Sequence, residues 1–227
     1  MIVSIHQPNY LPWIGFFDKI KQSDYFVIFD NVQFPRGKNH FGHRNKIKTN
    51  NSTIWLTVPL LGKSDFKNFN EIKINYNGWQ EKHLSLIESF YKKSPFFSNY
   101  FEDIKGILSK THNTLCDLNT ELIFYFLEQL DIKTKILFSS QICPDEISGA
   151  ERIDYILKTL QSTQYISGDG PGSLRYINED NFKNNNIELI WQHYDHPTYK
   201  QLYGEFVSYM SIIDLLFNEG PNSKNII

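Results

Sequence analysis

Cysteine is scarce in this chain: its 227 residues contain two, Cys116 and Cys143, in no C-x-x-C spacing. Two isolated cysteines supply neither a disulfide framework nor a thiolate zinc site, so both read as core residues of a protein in a reducing compartment, by default the cytoplasm. Metal motifs are missing as well. The seven histidines form no H-E-x-x-H or H-x-x-x-H pair, and His193 with His196 has no neighbouring cysteine or third ligand, so no metal is expected. No run approaches the ~18 apolar residues that a spanning helix needs. Met1 leads straight into Ile2-Val3-Ser4-Ile5, without the basic leader and apolar stretch of a secretory signal. Membrane insertion is therefore not expected. A net charge of −2 lacks the basic surplus of a protein that coats duplex nucleic acid, which argues against nucleic acid as the main partner.

Hydrophobic residues make up 41% of the chain and aromatic residues 15%, far from the composition of a disordered protein. Residues 2–6 read as a short strand ending at His6, and the prolines of Gln7-Pro8-Asn9-Tyr10-Leu11-Pro12 forbid its continuation. Trp13, Phe16, Phe17 and Ile20 have helical spacing, and Tyr25 to Phe29 is an apolar run of buried-strand length. This β-loop-α-β opening predicts a mostly parallel sheet with its first loop at the carboxyl edge, where α/β proteins bind ligands. Further strands are predicted at 54–59, 72–74, 135–138, 164–167 and 187–191. Helical periodicity fills about 79–130, a helical insertion, lid or subdomain within one domain spanning 1–227; further helices are predicted at 148–160 and 210–217. The fold class is α/β with flanking helices.

Acid is absent from one stretch. Residues 31–64 hold no Asp or Glu, whereas Arg36, Lys38, Arg44, Lys46 and Lys48 crowd together with His40 and His43. A planar, permanently charged guanidinium suits phosphate oxygens, so Arg36, Arg44 and Lys48 are candidate phosphate ligands, and Asn45 can read a sugar or base. The stretch from Arg36 to Lys48 reads as a loop. It is also open to a plainer reading, a solvated run of charge.

His6, Gln7, Asn9 and Tyr10 follow the first strand and precede a helix start, the setting in which free N–H groups meet an anion. The alternative is a strand-end imidazole held by a backbone carbonyl. Ser167-Gly168-Asp169-Gly170-Pro171-Gly172 is a turn-rich loop after a strand, in which Ser167 and Gly168 can bring backbone N–H groups to a ligand. Near the carboxyl end, His196, Tyr199 and Gln201 offer a base, a hydroxyl and an amide. The expectation is that this segment and the loop after Ser167 close over one cleft with His6. Asp214 lies inside an apolar closing helix, where a lone carboxylate is costly, and reads as structural.

The blocks His6-Gln7-Pro8-Asn9-Tyr10-Leu11-Pro12-Trp13-Ile14-Gly15-Phe16-Phe17, Arg44-Asn45-Lys46-Ile47-Lys48, Trp55-Leu56-Thr57-Val58-Pro59, Tyr165-Ile166-Ser167-Gly168 and Ser211 to Asn218 resemble, in order, those of the WbqC-like family of bacterial O-antigen and capsule gene clusters. The resemblance implies modification of a nucleotide-linked amino sugar by an amide-forming transfer of glycine or a similar acyl group. The opening, through Asn31-Val32-Gln33-Phe34, is also similar to that of pantothenate synthetase, an ATP-dependent amide ligase of the nucleotidyltransferase superfamily. The chain departs from that superfamily in having one loop histidine and no K-M-S-K-S-like segment, which leaves ATP use open. On this reading His6 or His196 is the general base, and Arg36 and Arg44 clamp the phosphates. The competing classes are a non-catalytic nucleotide-sugar or partner binder of the same pathway and an RNA-loop binder.

Overall fold

The order of elements follows from the alternation of apolar runs and helical stripes. It is β1 (Ile2–His6), α1 (Ile14–Lys21), β2 (Tyr25–Ile28), β3 (Arg44–Lys48), β4 (Thr53–Thr57), α2 (Trp79–Tyr91), α3 (Phe97–Leu108), α4 (Leu115–Gln129), β5 (Lys135–Phe138), α5 (Ser139–Ile142), α6 (Gly149–Thr159), β6 (Gln164–Gly168), α7 (Pro171–Leu174), α8 (Glu179–Asn184), β7 (Glu188–Gln192), α9 (Ile212–Glu219) and α10 (Ser223–Ile226). The structure is a computed structural model and describes every residue except Arg36, Lys38, Asn39, Asp65 and the side chain of Pro171. It divides into two compact units, one of Met1–Gln7, Asp18–Val32 and Lys133–Asp195, the other of Pro8–Phe17, Gln33–Ile132 and His196–Ile227.

The first unit is built on a five-stranded sheet in the order β5-β2-β1-β6-β7. Every pairing in it is parallel. Numbered along this unit, the order is 3-2-1-4-5, the start of the doubly wound arrangement. One face is closed by α6 and α8, whose Ile153, Ile156, Leu157 and Phe182 pack with Val3, Ile5, Val27 and Tyr165. Strand alternation turns Ser4 and His6 to the other face. There the Ser4 hydroxyl meets that of Ser23 at 2.7 Å, and Ser23 in turn bonds Lys19 O in the last turn of α1.

The second unit holds the antiparallel hairpin β3–β4, the helices α2–α4 and the closing helix α9. Arg44 to Lys48, predicted as loop, is a strand in register with Thr53 to Thr57. The predicted strand at 72–74 is reduced to one bridge between Leu60 and Ile74, because the preceding residues 69–71 form a 3₁₀ turn. Helix α4 begins where Thr114 accepts from Asp117 N while Asp117 returns the bond to Thr114 N, a reciprocal cap. Its Leu118, Leu122, Ile123 and Phe126 are fully buried.

Candidate functional site

The carboxyl edge of the parallel sheet is where the topology opens. Strand β1 pairs with β2 up to His6–Ile28, but its pairing with β6 runs from Ile2–Gln164 only to Ser4–Ile166. The last residues of both strands, Ile5–His6 and Ser167–Gly168, lie beyond that ladder. Here the chain order reverses, since β2 lies on one side of β1 and β6 on the other. Open parallel sheets bind their ligands at such a switch point.

His6 stands at this edge. Its Nδ1 donates to Gln7 O at 2.8 Å, because a carbonyl can only accept, and this leaves Nε2 as the basic nitrogen. The backbone-carbonyl contact is the one the plainer reading anticipates for a strand-end imidazole. His6 retains some surface, yet burial of its ring, with the nearby Lys19 ammonium second, lowers its pKa to about 3. The imidazole is therefore neutral at physiological pH. Ser167 donates its hydroxyl to Gly168 O at 3.1 Å, which fixes the start of the loop that follows β6.

Lys19 is the residue that sequence reasoning missed. It sits in α1 with 3% of its surface exposed, and among the described residues its Nζ reaches only Ile5 O, at 3.5 Å. Burial pulls its ammonium down to about 7, with no carboxylate among the described residues to hold it up. The available signal was its place in the apolar stripe, three residues after Phe16 and next to Ile20.

The remaining candidates lie in the second unit. The Pro8–Pro12 segment is pinned from several sides: Asn119 Nδ2 donates to Pro8 O at 2.8 Å and Gly42 O at 2.7 Å, and Tyr10 N donates to Phe41 O. Leu11 takes a left-handed φ of 43°, and Asn45, 1% exposed, donates to its carbonyl at 2.6 Å. Such a conformation in a leucine persists only where its surroundings hold it. Asn9 is buried, and the Tyr10 hydroxyl is engaged with His83 Nδ1 at 2.9 Å. Arg44 lays its guanidinium 3.8 Å from the centre of the Trp55 ring. Arg36 lies outside the described residues.

Lys48, Tyr199 and Gln201 converge on Asp214. The fully buried carboxylate accepts from Tyr91, Tyr199 and Gln201, each at 2.7 Å. Lys48 Nζ donates to Gln201 Oε1 at 3.1 Å and Glu205 O at 2.6 Å. Burial raises the Asp214 pKa against these hydrogen bonds and the Lys48 charge, which pull it down. His196 donates from Nδ1 to Pro197 O at 2.9 Å and packs among Trp13, Phe206 and Tyr209. Burial lowers its pKa.

Among the described residues no group of three or more His, Cys, Asp or Glu side chains is placed to hold a metal ion, and no helix is long and apolar enough to cross a membrane. Fold and edge together define the class, a doubly wound α/β protein with the largest segment of its second unit, Gln33–Ile132, inserted between its second and third sheet strands. The chain belongs to the WbqC-like protein family, whose model matches residues 7–226. It is 33% identical over 230 residues to an uncharacterized protein of Mycobacterium tuberculosis, covering 99% of this chain and 96% of that one. No solved structure matches it.

Proposed function

We propose that this protein forms an amide on a nucleotide-linked amino sugar, transferring an acyl or aminoacyl group such as glycyl, in the assembly of a bacterial surface polysaccharide. The observation that supports this most is the opening between β1 and β6 at the carboxyl edge, where His6 ends one strand and Ser167–Gly168 the other. In this reading the phosphates of the sugar nucleotide lie at that edge, against backbone N–H groups of the loop after Ser167. The sugar's amine attacks the activated carbonyl; the C–N bond forms as the bond from that carbonyl to its activating group breaks, the donor's carrier or AMP departs, and the proton lost by the amine passes to Nε2 of His6. A neutral imidazole suits this step, and an anion bound beside it raises its basicity. The acyl group arrives activated on a separate donor or is adenylated here, in which case ATP is a co-substrate.

The test is an amide-forming assay on nucleotide-linked amino sugars with wild type and His6→Ala, beside melting curves of both. The expected result is a rate loss of about 10²–10⁴-fold, the usual contribution of a positioned base, with the melting temperature little changed. Full activity in the variant, or a large loss of melting temperature, contradicts the assigned role.

The RNA-loop reading has its own supporting observation. Trp55 is 41% exposed, with Arg44 over its ring, Lys46 Nζ 5.8 Å from its centre and Phe41 beside it at 6.0 Å, a surface on which a base can stack. Salt-dependent binding of single-stranded RNA that Trp55→Ala removes would favour it.

A further inference from the structure

We infer that Lys19 is the anion-binding group of the parallel-sheet unit: the phosphoryl oxygens of a ligand at the carboxyl end of β1 are the counter-ion that its buried amine lacks within the protein. The inference deepens the proposed reading of this edge as a phosphate site and rests on it.

Lysine is seldom buried without a partner, because removing an ammonium from water is costly. Here the side chain is buried, and among the described residues its one hydrogen bond is a long contact to the Ile5 carbonyl and no carboxylate faces it. The acidic groups of the same helix and turn are engaged elsewhere. Asp18 accepts from Gln22 and Gln192, each at 2.7 Å, and Asp24 accepts from Ile2 N at the opposite end of β1. The titratable neighbour is His6, which is neutral and lies on the same sheet face. Ile5 O marks the place where the β1–β6 ladder has already opened. A structural lysine gains nothing from this arrangement, whereas a bound dianion supplies the missing charge and restores the ammonium. With burial holding the amine near 7, a phosphate also draws a proton onto it at mildly alkaline pH.

The experiment uses the full chain and inorganic pyrophosphate. Lysine side chains are isotopically labelled and titrated by NMR, the Lys19 resonance being the one that Lys19→Arg removes. Its midpoint is expected near 7 in the free protein and about 1–3 units higher with saturating pyrophosphate. Lys19→Met is expected to bind pyrophosphate at least about tenfold more weakly, to melt at a higher temperature when unliganded, and Lys19→Arg to retain binding. A midpoint unmoved by pyrophosphate, or equal affinity in wild type and Lys19→Met, overturns the inference. Should the amide assay fail while the pyrophosphate effect stands, the chemistry proposed above falls and the anion site remains.

Discussion

At the scale of the residue, the best-determined feature is a buried carboxylate. Asp214 has no exposed surface and accepts from two tyrosine hydroxyls and one amide, so its removal strands donors that have no water to turn to. Asp214→Ala is expected to cost about 3–5 kcal/mol, the range for breaking a buried charged network, and Asp214→Asn about 1–3 kcal/mol because one acceptor oxygen survives. Urea midpoints of the three proteins check this; a loss below 1 kcal/mol for the alanine variant would show that the network adds little. An Asp within an apolar helix reads as structural from sequence alone. That Lys48, Tyr199 and Gln201 are its company does not, because they join it from 166, 15 and 13 residues away in the chain.

At the scale of the element, two glycines mark opposite cases. Gly220 ends α9 with φ 55° and ψ −132°, and a Cβ there would fall 2.4 Å from the Phe96 ring. Gly220→Ala is therefore expected to destabilise by about 1–3 kcal/mol, and more if Phe96 cannot move. Gly106 lies within α3, and a Cβ there meets nothing within 4 Å, so Gly106→Ala is expected to stabilise by about 0.5–1 kcal/mol. Denaturant midpoints moving in the same direction for both would contradict this account of the two positions.

The legible elements are those whose residues declare their own environment. The run Tyr25 to Ile28 became a central strand and the Leu118–Leu122–Phe126 stripe a buried helix face, as apolar patterning requires. Strand β3 was hidden because Arg44-Asn45-Lys46-Ile47-Lys48 carries polar groups on both faces, and its buried Asn45 and Lys48 are satisfied by Leu11 O, Gln201 and Glu205 from distant segments. Lys19 was hidden for a related reason: a lysine among apolar neighbours ordinarily extends its amine to water. At the candidate site, His6 and Ser167 were visible as strand ends, but the opening between their strands depends on the sheet order.

At the scale of the whole molecule, buried imidazoles set the response to acid. Burial, the first cause in each case, lowers His6 to about 3 and His43 and His83 to about 4, whereas the unfolded chain titrates near 6.5. From about pH 6.5 downward the unfolded state therefore binds protons that the folded state refuses, and stability falls until about pH 3–4. Asp214, with its raised pKa, works in the opposite direction but is one group against these three together with His40 and His196, whose pKa values burial also lowers. Lys19 has the same sign as the imidazoles in a different window: between about 7 and 10.5 the unfolded chain alone holds its proton, so stability rises with pH there. A melting temperature that declines from pH 6.5 to 4 is the expected outcome, and a flat profile across that window contradicts the burial of these rings.

The central claim is that a phosphorylated sugar nucleotide binds where β1 and β6 part, and the most direct measurement is a crystal of the protein soaked with a uridine-diphosphate-linked amino sugar. The account expects diphosphate density at the carboxyl ends of β1 and β6, beside His6, Lys19 and the turn after Ser167. Saturating ligand with no density at that edge, or density confined to the Trp55–Arg44 surface, would contradict it.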